Sequence, residues 1–476
     1  SRVKIPTLIH LERLGYDYVS LKRSTWDIKS NIFDEIFIKS FCKLNNETNS
    51  DNAKEVLDDL KLSLSNTDLG KDFYNKLTKI SDYKIIDFDN IENNSFNTVT
   101  ELTYKNDDEE FRPDISVLIN GLPLVFIEVK KPNNKEGIYS ERTRIDKRFK
   151  NPKFRNFFNL TQFMIFSNNM EYDDLNNSLL QGAFYAPSSY NTPKFNYFRE
   201  EGNFLENLYL KNIKIEKELE ILKDNNLFSI KDSPEFQVNK KPETPTNRIC
   251  SSLLSKERLF FLLKYGFAYV QNDKNYEKHI LRYPQLFAVK AIEKAFEDKI
   301  NKGVIWHTQG SGKTALSYYS TRYFKDYFSK KKINAKFYFI VDRIDLLEQA
   351  NLEFKKRGLS VHIINTKEEF KENIKSKKII HNDFGYEEII LVNIQRFENE
   401  LNAIEPNDYN LDIQRIYFLD EVHRSYNPKG SFLANLHLSD PGAIKIGLTG
   451  TPLLGKDKKT RDIFGGYIHK YFYNQS

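Results

Sequence analysis

GVIWHTQGSGKT, residues 303–314, is an apolar run followed at once by a glycine-rich turn and a helix-compatible segment. The pattern GxxxxGK[ST] is met in part: Gly310-Ser311-Gly312-Lys313-Thr314 keeps its end, while its first position holds His307. Each residue type has a reason to be there. The glycines let backbone N–H groups wrap a phosphate, and the N-terminus of the following helix favours its charge. Lys313 is long enough to reach the β- and γ-phosphates of ATP, and the Thr314 hydroxyl suits Mg²⁺.

The runs downstream, AKFYFIV, SVHII, EIILVNI, IYFLD and IKIGLTG, are short and almost wholly apolar, and they alternate with helical or loop segments. Such strands are buried on both faces, which predicts a largely parallel α/β sheet. IYFLDEVHR ends one of them on Asp420-Glu421. Asp420, at the strand end, can hold Mg²⁺, and Glu421 can orient and deprotonate a water. With Lys313 upstream, the pair predicts ATP binding and hydrolysis.

Upstream, VNKKPETPTN (238–247) is a proline-rich polar joint that divides the chain into domains 1–240 and 241–476. In the first, IPTLIHLERLGYDYV spaces Ile5, Leu8, Ile9 and Leu11 as a helix that breaks at Gly15. Further helices are predicted at 33–43 and 216–225, and beyond the joint at 251–264 and 284–297. TVTELTY, ISVLI and LPLVFIEVK read as strands, the last two joined at Asn120-Gly121.

Pro113-Asp114 precedes this hairpin and Glu128-Val129-Lys130 closes it. Glu128 and Lys130, two apart on a strand, share a face. A two-residue turn pairing 119 with 122 would set Asp114 opposite Ile127, facing away. Pro123 lacks a donor and argues against that tight ladder. The sequence therefore predicts an odd connection pairing 119 with 123, which sets Asp114 opposite Glu128, about 5 Å away. Two carboxylates focused on one point can hold Mg²⁺, and Lys130 can stabilise charge developing on a scissile phosphate. Asp114, Glu128 and Lys130 thus suit metal-dependent phosphodiester hydrolysis, while so short a pattern also fits an ordinary edge-strand pair of Glu128 with Lys130.

Composition sets outer bounds. With 72 basic and 66 acidic side chains over 476 residues, the net charge of +6 permits a nucleic-acid partner only through a local face. Cys42 and Cys250 are too few and too distant for a disulfide framework or a cysteine zinc site. No run of about 18 apolar residues suits a membrane span, and no signal-peptide core opens the chain, so a cytoplasmic location is expected. The scattered Tyr and Phe are predicted for cores.

Gly310–Thr314, Asp420-Glu421-Val422-His423 and Thr449-Gly450-Thr451-Pro452 resemble motifs I, II and III of superfamily 2 helicases and translocases. That resemblance implies a RecA-like P-loop domain. It further implies that Gln285, in Arg282-Tyr283-Pro284-Gln285, reads adenine. Arg343 and Arg396, in Val341-Asp342-Arg343 and Asn393-Ile394-Gln395-Arg396, would touch the nucleic-acid backbone. His423, Thr449 and Thr451 would couple the nucleotide site to the motor.

PD-x13-ExK is similar to the restriction-endonuclease-like (PD-ExK) nuclease core. A nuclease of that kind ahead of a superfamily 2 motor resembles the restriction (R) subunit of type I restriction-modification enzymes. SRVKIPTLIHLERLGYDY, RFKNPKFRNFFNLTQFMIFSNNMEY and LRYPQLFAVKAI resemble it too. The resemblance implies ATP-driven translocation of double-stranded DNA and cleavage far from a target recognised by separate methyltransferase (M) and specificity (S) subunits, in a prokaryotic cytoplasm.

Many such nucleases carry Q-x3-Y on the helix after the ExK strand. Here ERTRIDKRF (141–149) sets Arg144 and Arg148 there, residues able to grip phosphate instead. Glu12, or a residue ahead of Ser1, is the candidate for a further upstream carboxylate. No motif of a second RecA-like lobe follows Thr449–Pro452, so the sequence predicts a nuclease domain with one motor lobe, unable alone to turn ATP over efficiently. A repair or phage-defence helicase–nuclease without a methyltransferase partner shares both motif sets. A non-cleaving nucleic-acid motor and an RNA remodeller with a DEAH-type box share the ATPase motifs.

Overall fold

Strands β1 (Asp17–Tyr18) and β2 (Phe96–Thr100) run parallel, and β3 (Tyr104–Asn106) and β4 (Glu109–Phe111) form a separate small hairpin. β5 (Ile115–Ile119), β6 (Leu122–Val129), β7 (Phe163–Ser167), β8 (Ala183–Pro187) and β9 (Asn196–Tyr197) complete a seven-stranded mixed sheet in the order β1-β2-β5-β6-β7-β8-β9. The computed structural model describes residues 2–79, 81–132, 137–171, 182–190, 194–272, 275–383, 385–394, 412–422, 436, 440–451 and 464–472.

Two units result: residues 1–268 with 273–280, and residues 269–272 with 281–476. The division falls later than the joint expected at 240. Helices Pro245–Leu254 and Lys256–Tyr265 stay with the first unit, where Tyr16 Oη donates to the Leu254 carbonyl at 2.7 Å and His10 pairs with Ser251 Oγ at 2.7 Å. The chain passes from one unit to the other along β10 (Phe267–Asn272) and β11 (Asn275–Ile280).

The β5–β6 hairpin corrects one expectation. Asn120 and Gly121 both have left-handed angles, φ 51° and 80°, and Ile119 pairs with Leu122. The tight two-residue turn therefore does form, with Pro123 beside it opposite Leu118. What restores the offset is a bulge: Val117 pairs with Val125, so Leu124 is one residue too many on β6. Its carbonyl turns to the Gln162 N–H at 2.7 Å, at the entry to β7. Beyond the bulge, Ile115 faces Ile127, and the same register continued by one residue sets Asp114 opposite Glu128. The predicted facing is reached by a turn plus a bulge instead of an odd connection.

β6 and β7 are parallel, so the helices Gly137–Phe149 and Arg155–Leu160 between them form a crossover. Ile138, Ile145 and Phe149 of the first helix pack with Phe111, Phe126, Phe157 and Phe166 in one buried cluster, where much of the aromatic content goes. The predicted helix 33–43 appears as Asp34–Asn45, and 251–264 breaks at extended Ser255. TVTELTY is not one strand: β2 ends where Glu101 takes φ 55°.

In the second unit, β12 (Lys302–His307), β13 (Asn334–Val341), β14 (Ser360–Ile364), β15 (Glu388–Asn393), β16 (Ile413–Leu419), β17 (Ile444–Thr449) and β18 (Tyr467–Tyr471) form a sheet in the order β14-β15-β13-β16-β17-β12-β18. Every pair is parallel, as the apolar runs predict. β12, β17 and β16 are neighbours, so their carboxyl ends open onto one crevice edge, where α/β sheets bind ligands.

A Cβ at Gly121 would stand 2.7 Å from the Phe33 carbonyl and 2.8 Å from the Phe37 nitrogen, at a φ that L residues resist. Gly121→Ala is expected to lower stability by about 1–3 kcal/mol; an unchanged denaturant midpoint would contradict this account of the hairpin.

Candidate active sites

Side chains alternate along β6, so Phe126, Glu128 and Lys130 point to the face that the helix Gly137–Phe149 covers. That helix brings Glu141 on the same buried stripe as Ile138 and Ile145. Asp114 Oδ2 accepts the Val129 N–H at 3.0 Å. Lys130 Nζ lies 3.4 Å from Glu128 Oε2 and 3.1 Å from Glu141 Oε1, and Arg144 NH1 reaches that Glu141 oxygen at 2.6 Å.

Burial, then the Asp114 carboxylate, push Glu128 up to about 8 against the pull of Lys130. For Lys130, burial acts downward, but the charges of Glu128 and Glu141 outweigh it and hold the ammonium above its ordinary value. Two carboxylates opposed in a buried site form a field a cation relieves, and Mg²⁺ is commonly held by one or two carboxylates plus waters. Asp114 and Glu128 therefore fit that ion. Arg148 stacks its guanidinium 4.0 Å from the centre of the Phe111 ring, and its NH1 is buried without a hydrogen-bond partner among the described residues.

In the second unit the phosphate loop leaves β12, with Gly310 and Gly312 at φ 80° and 81°, and the helix Lys313–Lys330 starts at Lys313. Thr314 lies in its first turn. Lys313 Nζ stands 3.5 Å from Glu421 Oε1, and a Cβ at Gly450 would be 3.4 Å from the same nitrogen. The phosphate loop, Asp420-Glu421 and Thr449–Thr451 are thus gathered from three adjacent strands. Burial, then the neighbouring Glu421, push Asp420 up to about 6, with Lys313 opposing. A buried carboxylate raised in this way, with Lys313 near it, fits a nucleotide-bound Mg²⁺.

Gln285, expected at adenine, here holds the loop. Its amide donates to the Ser311 and Gly312 carbonyls at 3.3 and 3.1 Å and accepts the Arg282 N–H at 3.0 Å. Arg282 adds bonds to the Gly310 and Ser311 carbonyls. Thr449 Oγ1 donates to the Thr451 carbonyl at 3.0 Å, forming a local turn. Arg343 is half-exposed, 3.9 Å from the carboxylates of Asp342 and Asp345, loose pairs that a phosphate can displace. Arg144 is largely exposed apart from its bond to Glu141. Arg396 and His423 lie outside the described residues.

Glu12 joins neither group: its carboxylate accepts the Tyr18 N–H at 2.6 Å, with Lys217 at 3.8 Å. Glu141 was missed by the sequence reading. The signal available was a carboxylate on the apolar stripe Ile138–Ile145–Phe149, hidden among the many charges of ERTRIDKRF. Arg282 carries no signal in the sequence beyond its place beside Gln285.

The molecule is therefore an α/β protein that joins a buried carboxylate–lysine site on a mixed sheet to a P-loop ATPase sheet. Residues 2–175 match the family model of the type I restriction enzyme R protein N terminus (HSDR_N), and residues 284–476 match that of the SWI2/SNF2 ATPase. A Methanocaldococcus jannaschii relative, provisionally assigned as the endonuclease subunit of the type I restriction enzyme MjaVIIIP, is 30% identical over 90% of this chain and 38% of its own length. The type I restriction enzyme SsaAORF53P endonuclease subunit of Staphylococcus saprophyticus is 26% identical over 78% of this chain and 34% of its own. The solved structure of the ATP-dependent Type ISP restriction-modification enzyme LlaBIII bound to DNA covers 42% of this chain and 16% of its own at 14% identity, with a TM-score of 0.30 too low to carry weight. Most of this chain is similar to the restriction (R) subunits of type I restriction enzymes, and it spans just over a third of the curated relatives it matches.

A carboxyl whose folded value exceeds its unfolded one binds a proton more tightly in the fold. Stability then falls as pH rises from the unfolded value, near 4.5, through the folded one, about 8. In chelator, the wild-type melting temperature is expected to drop across this window more than that of Glu128→Gln, and saturating Mg²⁺ should reverse part of the drop. Parallel pH curves for the two proteins would contradict the opposed-carboxylate geometry.

Proposed function

We propose that the complete protein is the motor and nuclease subunit of a type I restriction enzyme, hydrolysing ATP to translocate double-stranded DNA and cutting it away from the recognition site. The observation that carries this reading is the pairing of two chemistries on one chain: Asp114, Glu128 and Lys130 converge in the first unit, and Lys313, Asp420 and Glu421 in the second. In this reading the first unit is a PD-ExK nuclease and the second is the first RecA-like lobe.

At the nuclease, Asp114 and Glu128 hold the cation, and Lys130 stabilises charge developing on the phosphate. Bound Mg²⁺ supplies polarisation of the scissile phosphate and activation of water. Arg144 and Arg148 grip neighbouring phosphates. At the motor, the N–H groups of Gly310, Ser311 and Gly312 with Lys313 bind the phosphates of ATP. Thr314 and Asp420 hold the nucleotide's Mg²⁺, and Glu421 orients and deprotonates the attacking water. Gln285 serves adenine and loop together. Arg343 and Arg396 meet the DNA backbone, and His423, Thr449 and Thr451 couple the nucleotide to motion. Target recognition belongs to M and S subunits, in a prokaryotic cytoplasm.

The test is ATP-dependent cleavage of unmethylated circular DNA by the complete subunit with its M and S partners. Lys313→Ala is expected to abolish both ATP hydrolysis and cutting. Lys130→Ala should keep ATP hydrolysis at the wild-type rate while cutting falls by about 100-fold or more. Wild-type cutting by Lys130→Ala would overturn the assignment.

A further inference from the structure

We propose that Glu141 is a positioning residue of the cleavage site, sharing the Lys130 ammonium with Glu128 and so leaving Glu128 open to a divalent cation. The proposal rests on the nuclease reading above.

A buried carboxylate on an apolar helix stripe is costly unless it is paired. The Glu141 side chain is 3% exposed, between Ile138 and Ile145, and it directs one oxygen, Oε1, at two cations. Arg144, one turn further along the helix, bonds that oxygen at 2.6 Å and fixes the carboxylate's direction. Lys130 takes the remaining approach at 3.1 Å, closer than the 3.4 Å that separates it from Glu128.

The distances matter because Lys130 and a cation compete for the same carboxylate. An ammonium drawn fully onto Glu128 would close to about 2.8 Å and neutralise the charge that binding needs. Glu141 offers the ammonium a second partner and keeps it at the edge of Glu128, near where a phosphate would sit. Glu141 is no third metal ligand: among the described residues, no group of three or more His, Cys, Asp or Glu side chains is set to hold a metal. The contact that links it to the cation site is Lys130, 3.1 Å from Glu141 and 3.4 Å from Glu128. Groups that orient a metal site from behind its ligands typically alter metal affinity by about 10–100-fold when removed.

Mn²⁺ binding to the full chain, followed by electron paramagnetic resonance without ATP or DNA, tests this. Asp420→Asn in every arm silences the nucleotide-side carboxylate. Glu141→Gln is expected to weaken Mn²⁺ binding about tenfold. Because Glu141 acts through the lysine, Glu141→Gln/Lys130→Gln should bind like Lys130→Gln alone, whereas a general field or packing effect would persist in the double variant. Should Glu141→Gln fail to fold, Glu141→Asp, which withdraws the oxygen from Lys130 by about one methylene, carries the same comparison. Unchanged Mn²⁺ binding in the folded Glu141 variant, or its full loss retained without Lys130, overturns the proposal. Unchanged binding in Asp114→Ala would instead sink the nuclease reading itself.

Discussion

Asp114 and Glu128 meet because β6 carries one residue more than β5. Side chains alternate with a period of two, so a ladder running unbroken from the turn would hand Asp114 the apolar Ile127 and turn its carboxylate from the site. The bulge at Leu124 reverses that choice for every residue beyond it. It is held from both sides. The Gln162 N–H takes the extra carbonyl, and the turn itself is fixed where Gly121 presses on the start of the helix Asp34–Asn45 and its carbonyl accepts the Phe33 N–H at 3.0 Å. The opposition of two acids inside an apolar sheet thus depends on a local irregularity that the neighbouring elements leave no room to relax.

The two units solve a similar electrostatic problem with different backbones. In each, a buried carboxylate with raised proton affinity, Glu128 or Asp420, has a second acid beside it and a lysine within reach. The mixed sheet brings its acids from adjacent antiparallel strands, which requires a register. The parallel sheet brings its groups from the carboxyl ends of β12, β16 and β17, where Trp306 pairs with Thr449 and Leu419 with Gly447. Parallel neighbours end at the same crevice edge, so convergence there needs only that motifs follow strands. This explains why three short motifs, far apart in sequence, could be read as one site without knowing any side-chain register.

The same contrast decides how much was legible in advance. The motor strands were plain because buried parallel strands are nearly pure apolar runs, and the helices at 216–225 and 284–297 because their periodicity is strong. The facing of Asp114 and Glu128 is legible in the spacing but its route is not: Pro123 argues against the tight ladder, yet a proline needs only that its missing donor not be required there. β18 escaped because YIHKY, with His469 and Lys470 adjacent and Ile468 its one aliphatic residue, lacks the apolar run that marks the other strands of its sheet. The later unit boundary depends on long-range contacts such as Tyr16 with Leu254, which composition cannot report. Glu141 was obscured because, among the charges of residues 141–148, only packing against Phe126 says which one is turned inward.

The two arginines on that helix differ for the same reason. Arg144 lies on the solvent side of Glu141, so its guanidinium is tied to a carboxylate yet open to water. Arg148 stands one further turn along, where the helix meets the β3–β4 hairpin, and its plane rests on Phe111. Stacking fixes the orientation of a long side chain without using its N–H groups, so less entropy remains to be lost when one of them meets an oxygen. Phe111 lies three residues before Asp114 in the chain, and it packs edge-on against Phe126, two before Glu128, at 5.6 Å between centroids. The aromatic cluster is therefore the common floor of the site. It sets the strand that bears Glu128, the approach to Asp114 and the plane of Arg148 from one apolar contact surface, which makes the charged groups above it rigid relative to one another.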